Sequence, residues 1–362
     1  MALNGYKLSN FILILTDACN WQCGYCYQKK GRTFLDETTL DKACEFFFPL
    51  FASDCSVQFY GGEPLLAWPL IKRAIKTFDR LNRKDSKRLN YSITTNGSLL
   101  TTEVLEFLSG YPFHVMLSFD VFAQEKGRKK RSQSSTARLL ESLLQMDSLT
   151  LLTSSVFMPS TVNHLAESLR WLCEAGVLEI QFNPSIHQPW DSRSRQAYRE
   201  ELTKVSAFLV KRFSQTGTIP IQEFRRPAQS SLFSCTAGFN RLALAPDGRL
   251  WGCYILADYF KGKEESREGR DFCFGRFEEF SRNPSRTSRR ILAAHNHLRA
   301  ENFFTPVKLC AMCDHLEECA VCPAGQAIFS GILGLISSDQ CRLNRILFAE
   351  RRLFWKEAGL EG

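Results

Sequence analysis

The chain has 362 residues, 44% of them hydrophobic, and 46 Lys and Arg against 38 Asp and Glu give it a formal charge of +8. That is enough apolar material for one large domain and a smaller one, and it excludes a disordered chain. The first ten residues carry no charged segment followed by a cleavable apolar core, and the run 11–15 is far too short to span a bilayer, so a cytoplasmic protein with no membrane partner is expected.

Short apolar or β-branched runs alternate with longer helical patterns through the first two thirds of the sequence, as in successive βα units around a parallel sheet. Strands are predicted at 11–16, 56–60, 90–95, 114–120, 150–157 and 178–183, and helices at 37–51, 66–82, 99–109, 136–146, 160–174 and 195–213. Cys44, Phe47 and Phe48 form a core stripe on the first helix. The alternation stops near Thr216. Beyond it the chain is loop-rich and dense in cysteine, with Pro246-Asp247-Gly248 as a turn between two short strands and the polar segment 261–271 as a mobile insertion. A last helix at 342–357 packs Ile346, Phe348 and Leu353 onto the body. These breaks divide the chain into 1–220, 221–345 and 346–362.

Fourteen cysteines in a reducing compartment argue for metal ligation over disulfides. Cys44, Cys55, Cys173 and Cys273 stand apart, and Cys44 and Cys173 fall in apolar helical patterns as buried thiols. The other ten are clustered. Cys19, Cys23 and Cys26, spaced C-x3-C-x2-C after the first strand, hold only three irons of a [4Fe-4S] cube, which normally takes four thiolates. The open iron can be chelated by the amino and carboxylate groups of S-adenosylmethionine (SAM). Cys235 and Cys253 flank Gly248 in a C-x12-G-x4-C pattern. Cys310, Cys313, Cys319 and Cys322 follow as C-x2-C-x5-C-x2-C, and then Cys341. Taken alone, the later pairs suit a structural zinc equally well. Coupled to the first loop, they favour iron and sulfur.

The cysteine loop, Gly61-Gly62-Glu63-Pro64 after the second strand, Thr94-Thr95-Asn96-Gly97 at the third, and Ser118 and Asp120 at the fourth together resemble the radical SAM superfamily. The seven later cysteines resemble its SPASM extension. The resemblance implies an α/β fold: a partial (β/α)6 TIM-type barrel, a smaller cysteine-rich SPASM domain and a C-terminal helix, with the active site at the strand ends. By carry-over, Gly61, Gly62, Glu63 and Pro64 receive the methionine amino group, and Tyr25 lies near the adenine. Asn96 bonds a ribose hydroxyl or caps its own turn, and Ser118 and Asp120 face the ribose or carboxylate. The family arginine after this strand is Arg131, or Arg128 in another register, against a reading of the whole run 126–131 as a solvated loop. Two departures stand out: Val121 replaces the usual glycine, and x2 replaces x3 before Cys322. Cys310, Cys313, Cys319 and Cys341 would hold one auxiliary [4Fe-4S] cluster. Cys235, Cys253 and Cys322 would hold the other, with Cys273 as a fourth ligand or an iron left open to substrate.

The chemistry implied is reductive cleavage of SAM to a 5′-deoxyadenosyl radical that removes hydrogen from a peptide or protein, in a maturase forming thioether or carbon-carbon crosslinks or a related oxidation. An anaerobic sulfatase-maturating enzyme is the alternative, but there an Asp follows the cysteine equivalent to Cys253. Here Tyr254 does, with Asp258 as a nearby base, and these two are the catalytic candidates. A non-catalytic iron-sulfur or zinc scaffold would have eroded the SAM-binding strand ends, which are intact. A flavodoxin or ferredoxin-type electron donor is the expected partner, and the run 126–131, if not simply solvated, would steer such an acidic donor or an acidic peptide. Since the chain opens almost at its first strand, peptide recognition is expected to come from the barrel mouth, the extension or a separate leader-binding protein. No nucleic-acid motif is present, and His295, His297 and His315 read as solvated.

Overall fold

The computed structural model describes residues 6–128, 133–185, 188–226, 235–284, 293, 296, 298–299, 302–319 and 321–360. Six strands run parallel in chain order: β1 (Leu8–Thr16), β2 (Phe51–Gly61), β3 (Arg88–Thr95), β4 (Phe113–Ser118), β5 (Leu149–Phe157) and β6 (Ile180–Pro184). Between and after them come α1 (Glu37–Phe47), α2 (Trp68–Asn82), α3 (Thr102–Ser109), α4 (Gln124–Arg128), α5 (Gln133–Leu144), α6 (Leu165–Glu174) and α7 (Ser192–Thr216). This is the incomplete α/β barrel, and every strand expected from the sequence is found within a few residues.

Local chemistry sets the boundaries. Asp36 caps α1 by accepting from the Thr39 N–H, and Leu40, Ala43, Cys44 and Phe47 turn inward, with the Phe47 ring 5.0 Å from that of Phe11. The helix ends at Phe47 instead of continuing to residue 51, because Pro49 sits in the single 3-10 turn Phe48–Leu50 and Phe51 already begins β2. Asp191 caps α7, and Gly217 closes it at a φ of 65°.

The cysteine-rich half continues the same sheet. β7 (Arg241–Leu244) lies parallel to β1, and β8 (Arg249–Trp251) and β9 (Cys273–Arg276) follow antiparallel, giving nine strands in the order β6-β5-β4-β3-β2-β1-β7-β8-β9. The expected turn joins β7 to β8, with Gly248 at a φ of 80°. After β8 comes α8 (Tyr254–Phe260), then α9 (Arg267–Phe272) and, past β9, α10 (Phe277–Arg282). Segment 261–271 is therefore not a mobile insertion: Lys261 Nζ is held by Asp17 at 2.7 Å and by the Lys29 carbonyl at 2.6 Å, and Ser266 caps α9.

A short helix, Pro323–Ser330, precedes the C-terminal helix Ser338–Glu357, which starts early enough to carry Cys341 on its first turn. Leu343, Ile346, Phe348 and Phe354 are buried, but Leu353 is 48% exposed, because the inward stripe runs through 343, 346, 350 and 354 and places 353 outside it. Among the described residues no helix is long and apolar enough to cross a membrane.

Candidate active site

A cavity of about 570 Å3 opens at the C-terminal ends of the strands, lined by Cys19, Cys23 and Cys26 together with Tyr254 and Cys322. The cysteine loop is fastened at several points. The Thr16 hydroxyl at the end of β1 donates to the Thr33 carbonyl at 2.7 Å and accepts from the Ala18 N–H at 3.0 Å. The Glu63 N–H donates to the Ala18 carbonyl at 2.9 Å, and the Gly24 N–H to the Gly127 carbonyl at 2.9 Å. A Cβ at Gly61, where φ is 146°, would stand 2.2 Å from the Thr16 oxygen, and one at Gly62 would stand 2.3 Å from the Ala18 oxygen. The glycine pair thus makes room for the cysteine loop itself as well as walling the cavity.

Glu63 and Pro64 are buried behind that wall. The Glu63 carboxylate accepts from the Thr95 hydroxyl at 2.8 Å, the Asn96 N–H at 2.8 Å and the Leu65 N–H at 3.1 Å, clasping the end of β2 to that of β3. Burial pushes this carboxyl up to about 7, against the pull of the same three donors. Asn96 lines the cavity. Its Oδ1 caps its own turn through the Ser98 N–H, while its Nδ2 donates to Asn20 Oδ1 on the cysteine loop at 2.9 Å.

Ser118 faces the cavity, whereas Asp120 is fully buried. The Asp120 carboxylate accepts from the Tyr25 hydroxyl at 2.5 Å, from Arg128 Nη2 at 2.8 Å and from the Val156 N–H at 2.9 Å. It holds Tyr25 and Arg128, which do line the cavity, with the Arg128 guanidinium 5.3 Å from the centre of the Tyr25 ring. Burial pulls Arg128 down, but Asp120 and Tyr25 outweigh it and keep it charged. The solvated-loop reading is thereby corrected for Arg128, whose side chain is only 6% exposed, while Arg131 lies outside the described residues with 129, 130 and 132. The sequence offers Arg128 only as the second register, because nothing in a basic run marks an arginine that turns inward. Gly127 permits the turn, since a Cβ there would come within 3.1 Å of the Tyr25 ring. Val121, in place of the expected glycine, takes a φ of 49°, a conformation costly for a β-branched residue.

The later thiols form two groups. Cys310, Cys313, Cys319 and Cys341 line one cavity of about 200 Å3, and burial, then the Cys341, Cys319 and Cys313 charges, pushes the Cys310 thiol up to about 11. Burial and Cys322, then Cys235, push Cys253 up to about 12. Cys273 is buried on β9 opposite Trp251, and Cys44, Cys55 and Cys173 are buried as well. Among the described residues no three His, Cys, Asp or Glu side chains converge on a single metal ion; a cube, with its irons at separate corners, asks for wider spacing. The donors fit the implied groups. Each set is all sulfur and repels itself as thiolates, and Arg128 brings to the cavity a cation whose buried Nε has no partner among the described residues, suited to a carboxylate.

The two catalytic candidates face different spaces. Tyr254 lines the reaction cavity, its ring centre 4.0 Å from that of Tyr60, whose hydroxyl lies 2.9 Å from that of Tyr27. Asp258, one turn along α8, lines a second cavity of about 120 Å3 behind Gly61 and Gly62, beside Asp17 and Lys261. Burial pushes its carboxyl up to about 6, eased by Gln28 and Lys261. His315 is not simply solvated: its ring packs 5.6 Å from that of Phe348. His295 and His297 lie outside the described residues.

A parallel partial barrel with a three-thiol loop at its strand ends defines a radical enzyme scaffold. Residues 13–172 match the Radical SAM superfamily, and the chain carries a radical SAM domain over that span. It is 22% identical over 393 residues to the radical SAM cyclopropyl synthase TigE of Paramaledivibacter caminithermalis, covering 98% of this chain and 76% of that protein. It is 24% identical to the serine-type anaerobic sulfatase-maturating enzyme of Klebsiella aerogenes, over 65% of this chain and 64% of that one. Among solved structures, anSMEcpe with bound AdoMet superposes with a TM-score of 0.75 at 16% identity, covering 98% and 96% of the two chains. Streptococcus suis SuiB bound to S-adenosylmethionine superposes with 0.60 at 12% identity, covering 88% and 74%.

Proposed function

We propose that this chain is a radical SAM peptide maturase of the reducing cytoplasm. The observation that carries the reading is the shared cavity: Cys19, Cys23 and Cys26 line it together with Cys322 of the second thiol set, in a space within the usual range for ligand sites. When bound, a [4Fe-4S] cube on the first three thiolates, with SAM, supplies a 5′-deoxyadenosyl radical. The chain's own residues position the reactants. Arg128 would pair with the SAM carboxylate, Tyr25 would lie along the adenine, and Asn96 and Ser118 would meet the ribose. Asp120 and Glu63 act behind them, fixing Tyr25 and Arg128 and the ends of β2 and β3. Cys235, Cys253 and Cys322 would hold the auxiliary cluster that accepts the substrate's electron, since Cys322 lines the reaction cavity, and Cys310, Cys313, Cys319 and Cys341 would hold the other.

The names of the relatives fit a peptide substrate: SuiB has been solved bound to its precursor peptide SuiA, and anSMEcpe with bound peptide. Formylglycine formation is less well supported, because Tyr254, its ring tilted against Tyr60 with centres 4.0 Å apart, stands where that alternative expects an Asp. Fourteen free cysteines suit a reducing compartment and an electron donor within it. The test is anaerobic reconstitution followed by dithionite and SAM. The expected result is 5′-deoxyadenosine, abolished in Cys26→Ala, and loss of two hydrogens from a short precursor peptide encoded beside the gene. Iron-loaded protein that releases no 5′-deoxyadenosine overturns the reading.

A further inference from the structure

We propose that the arginine-lined cleft between α7 and the C-terminal helix docks an acidic one-electron donor protein beside the four-cysteine set. The inference rests on reading that set as a cluster site. The cleft, about 390 Å3, is lined by Arg195, Gln196 and Arg199 of α7 and by Arg342 and Arg345 of the C-terminal helix. No carboxylate lies in the lining among the described residues. Asp339 at its edge takes up part of the charge, 3.4 Å from Arg195 and 3.5 Å from Arg342, while Arg199 and Arg345 carry no ion pair among the described residues.

Three features select an electron donor over a peptide. Arg342 and Arg345 also line the cavity of Cys310, Cys313, Cys319 and Cys341, so a protein seated on the cleft lies against that set. None of the residues lining the cleft also lines the reaction cavity, where a peptide substrate must reach. Around the four thiols, Val307 and Met312 are 85% and 75% exposed, giving an apolar patch with a cationic rim, the composition of a protein interface. Of the run 126–131, Arg128 points into the barrel and 129–131 lie outside the described residues. In the step served, the donor's flavin is oxidised by one electron and the four-thiolate centre is reduced by one, with no bond broken.

Flavodoxin, an acidic flavin protein, is the probe. With the reconstituted full chain, oxidised flavodoxin should bind with a Kd that rises with salt. The variant Gln196→Glu/Arg199→Glu, on the exposed face of α7, should weaken that binding about 10-fold or more at low salt. It should slow reduction of the iron-sulfur absorbance by flavodoxin hydroquinone to a similar degree. Reduction by the methyl viologen radical cation, which arginines do not steer, and iron content should stay unchanged. Arg199→Lys should retain binding, and Arg199→Gln should lose part of it. Unchanged flavodoxin binding and rate in the fully loaded charge-reversal variant overturn the proposal, as does a loss of peptide affinity in place of donor affinity. Neither SAM nor peptide is present, so failure of the maturase reading leaves this result readable.

Discussion

Asp120 gathers the Tyr25 hydroxyl, the Arg128 guanidinium and the Val156 amide on one carboxylate without solvent. Removing one partner of a buried pair leaves a charge uncompensated, at a cost of about 3–5 kcal/mol. Asp120→Asn should therefore lower the unfolding free energy by that amount in urea titration, and Asp120→Leu/Arg128→Met should recover part of it without recovering SAM binding. A double variant no more stable than Asp120→Asn would show that the pair is not what is lost. Glu63 makes a pH prediction. Its carboxyl is raised from 4.5 to about 7 by burial, so the folded chain holds the proton more tightly than the unfolded chain. Its stabilising contribution is full below about pH 4.5 and is lost as pH rises through about 7. The wild-type stability relative to Glu63→Gln should thus fall by on the order of 3 kcal/mol between pH 5 and 8. A flat difference would mean that the carboxyl keeps an ordinary affinity for its proton.

At the scale of elements, the cysteine loop and the end of β2 are one construction. A methyl group at Gly62 meets backbone oxygen and cannot be relieved by turning a side chain. Gly62→Ala should displace Ala18 and Cys19 and lower iron from about twelve toward about eight atoms per chain, with the later sites still filled. Iron and sulfide assays on reconstituted protein measure this, and full loading would show that the loop tolerates the shift. The β7–β8 hairpin is the second such construction. By adding to β1 it brings Tyr254, more than 200 residues from the first thiols, into the lining of the same cavity.

Over the whole molecule, the C-terminal helix ties the chain together. Phe354 packs 6.5 Å from Phe213 of α7 and 5.8 Å from Phe224, ring centre to ring centre, and the Trp355 indole donates to the Phe224 carbonyl at 2.8 Å. Arg351 of the same helix pairs with Glu318 between the cysteine pairs at 3.0 Å. Phe354→Ala should cost about 3–5 kcal/mol. Because Cys341 rides on the first turn of this helix, the variant should also lose iron from the four-thiol set faster under a chelator. An unchanged Tm and unchanged iron retention would show the helix to be an appendage.

The sequence by itself determined the βα alternation, the cysteine spacings and the short motifs at the strand ends, because each is written in neighbouring residues and needs only local geometry to be read. The tertiary structure alone decided that Arg128 turns inward and that Asp120 and Glu63 support the cavity from behind. Those outcomes depend on contacts between distant parts of the chain: Tyr25 and Asp120 are 95 residues apart, and no local pattern records which buried carboxylate a given hydroxyl or guanidinium will meet once the sheet has closed around it.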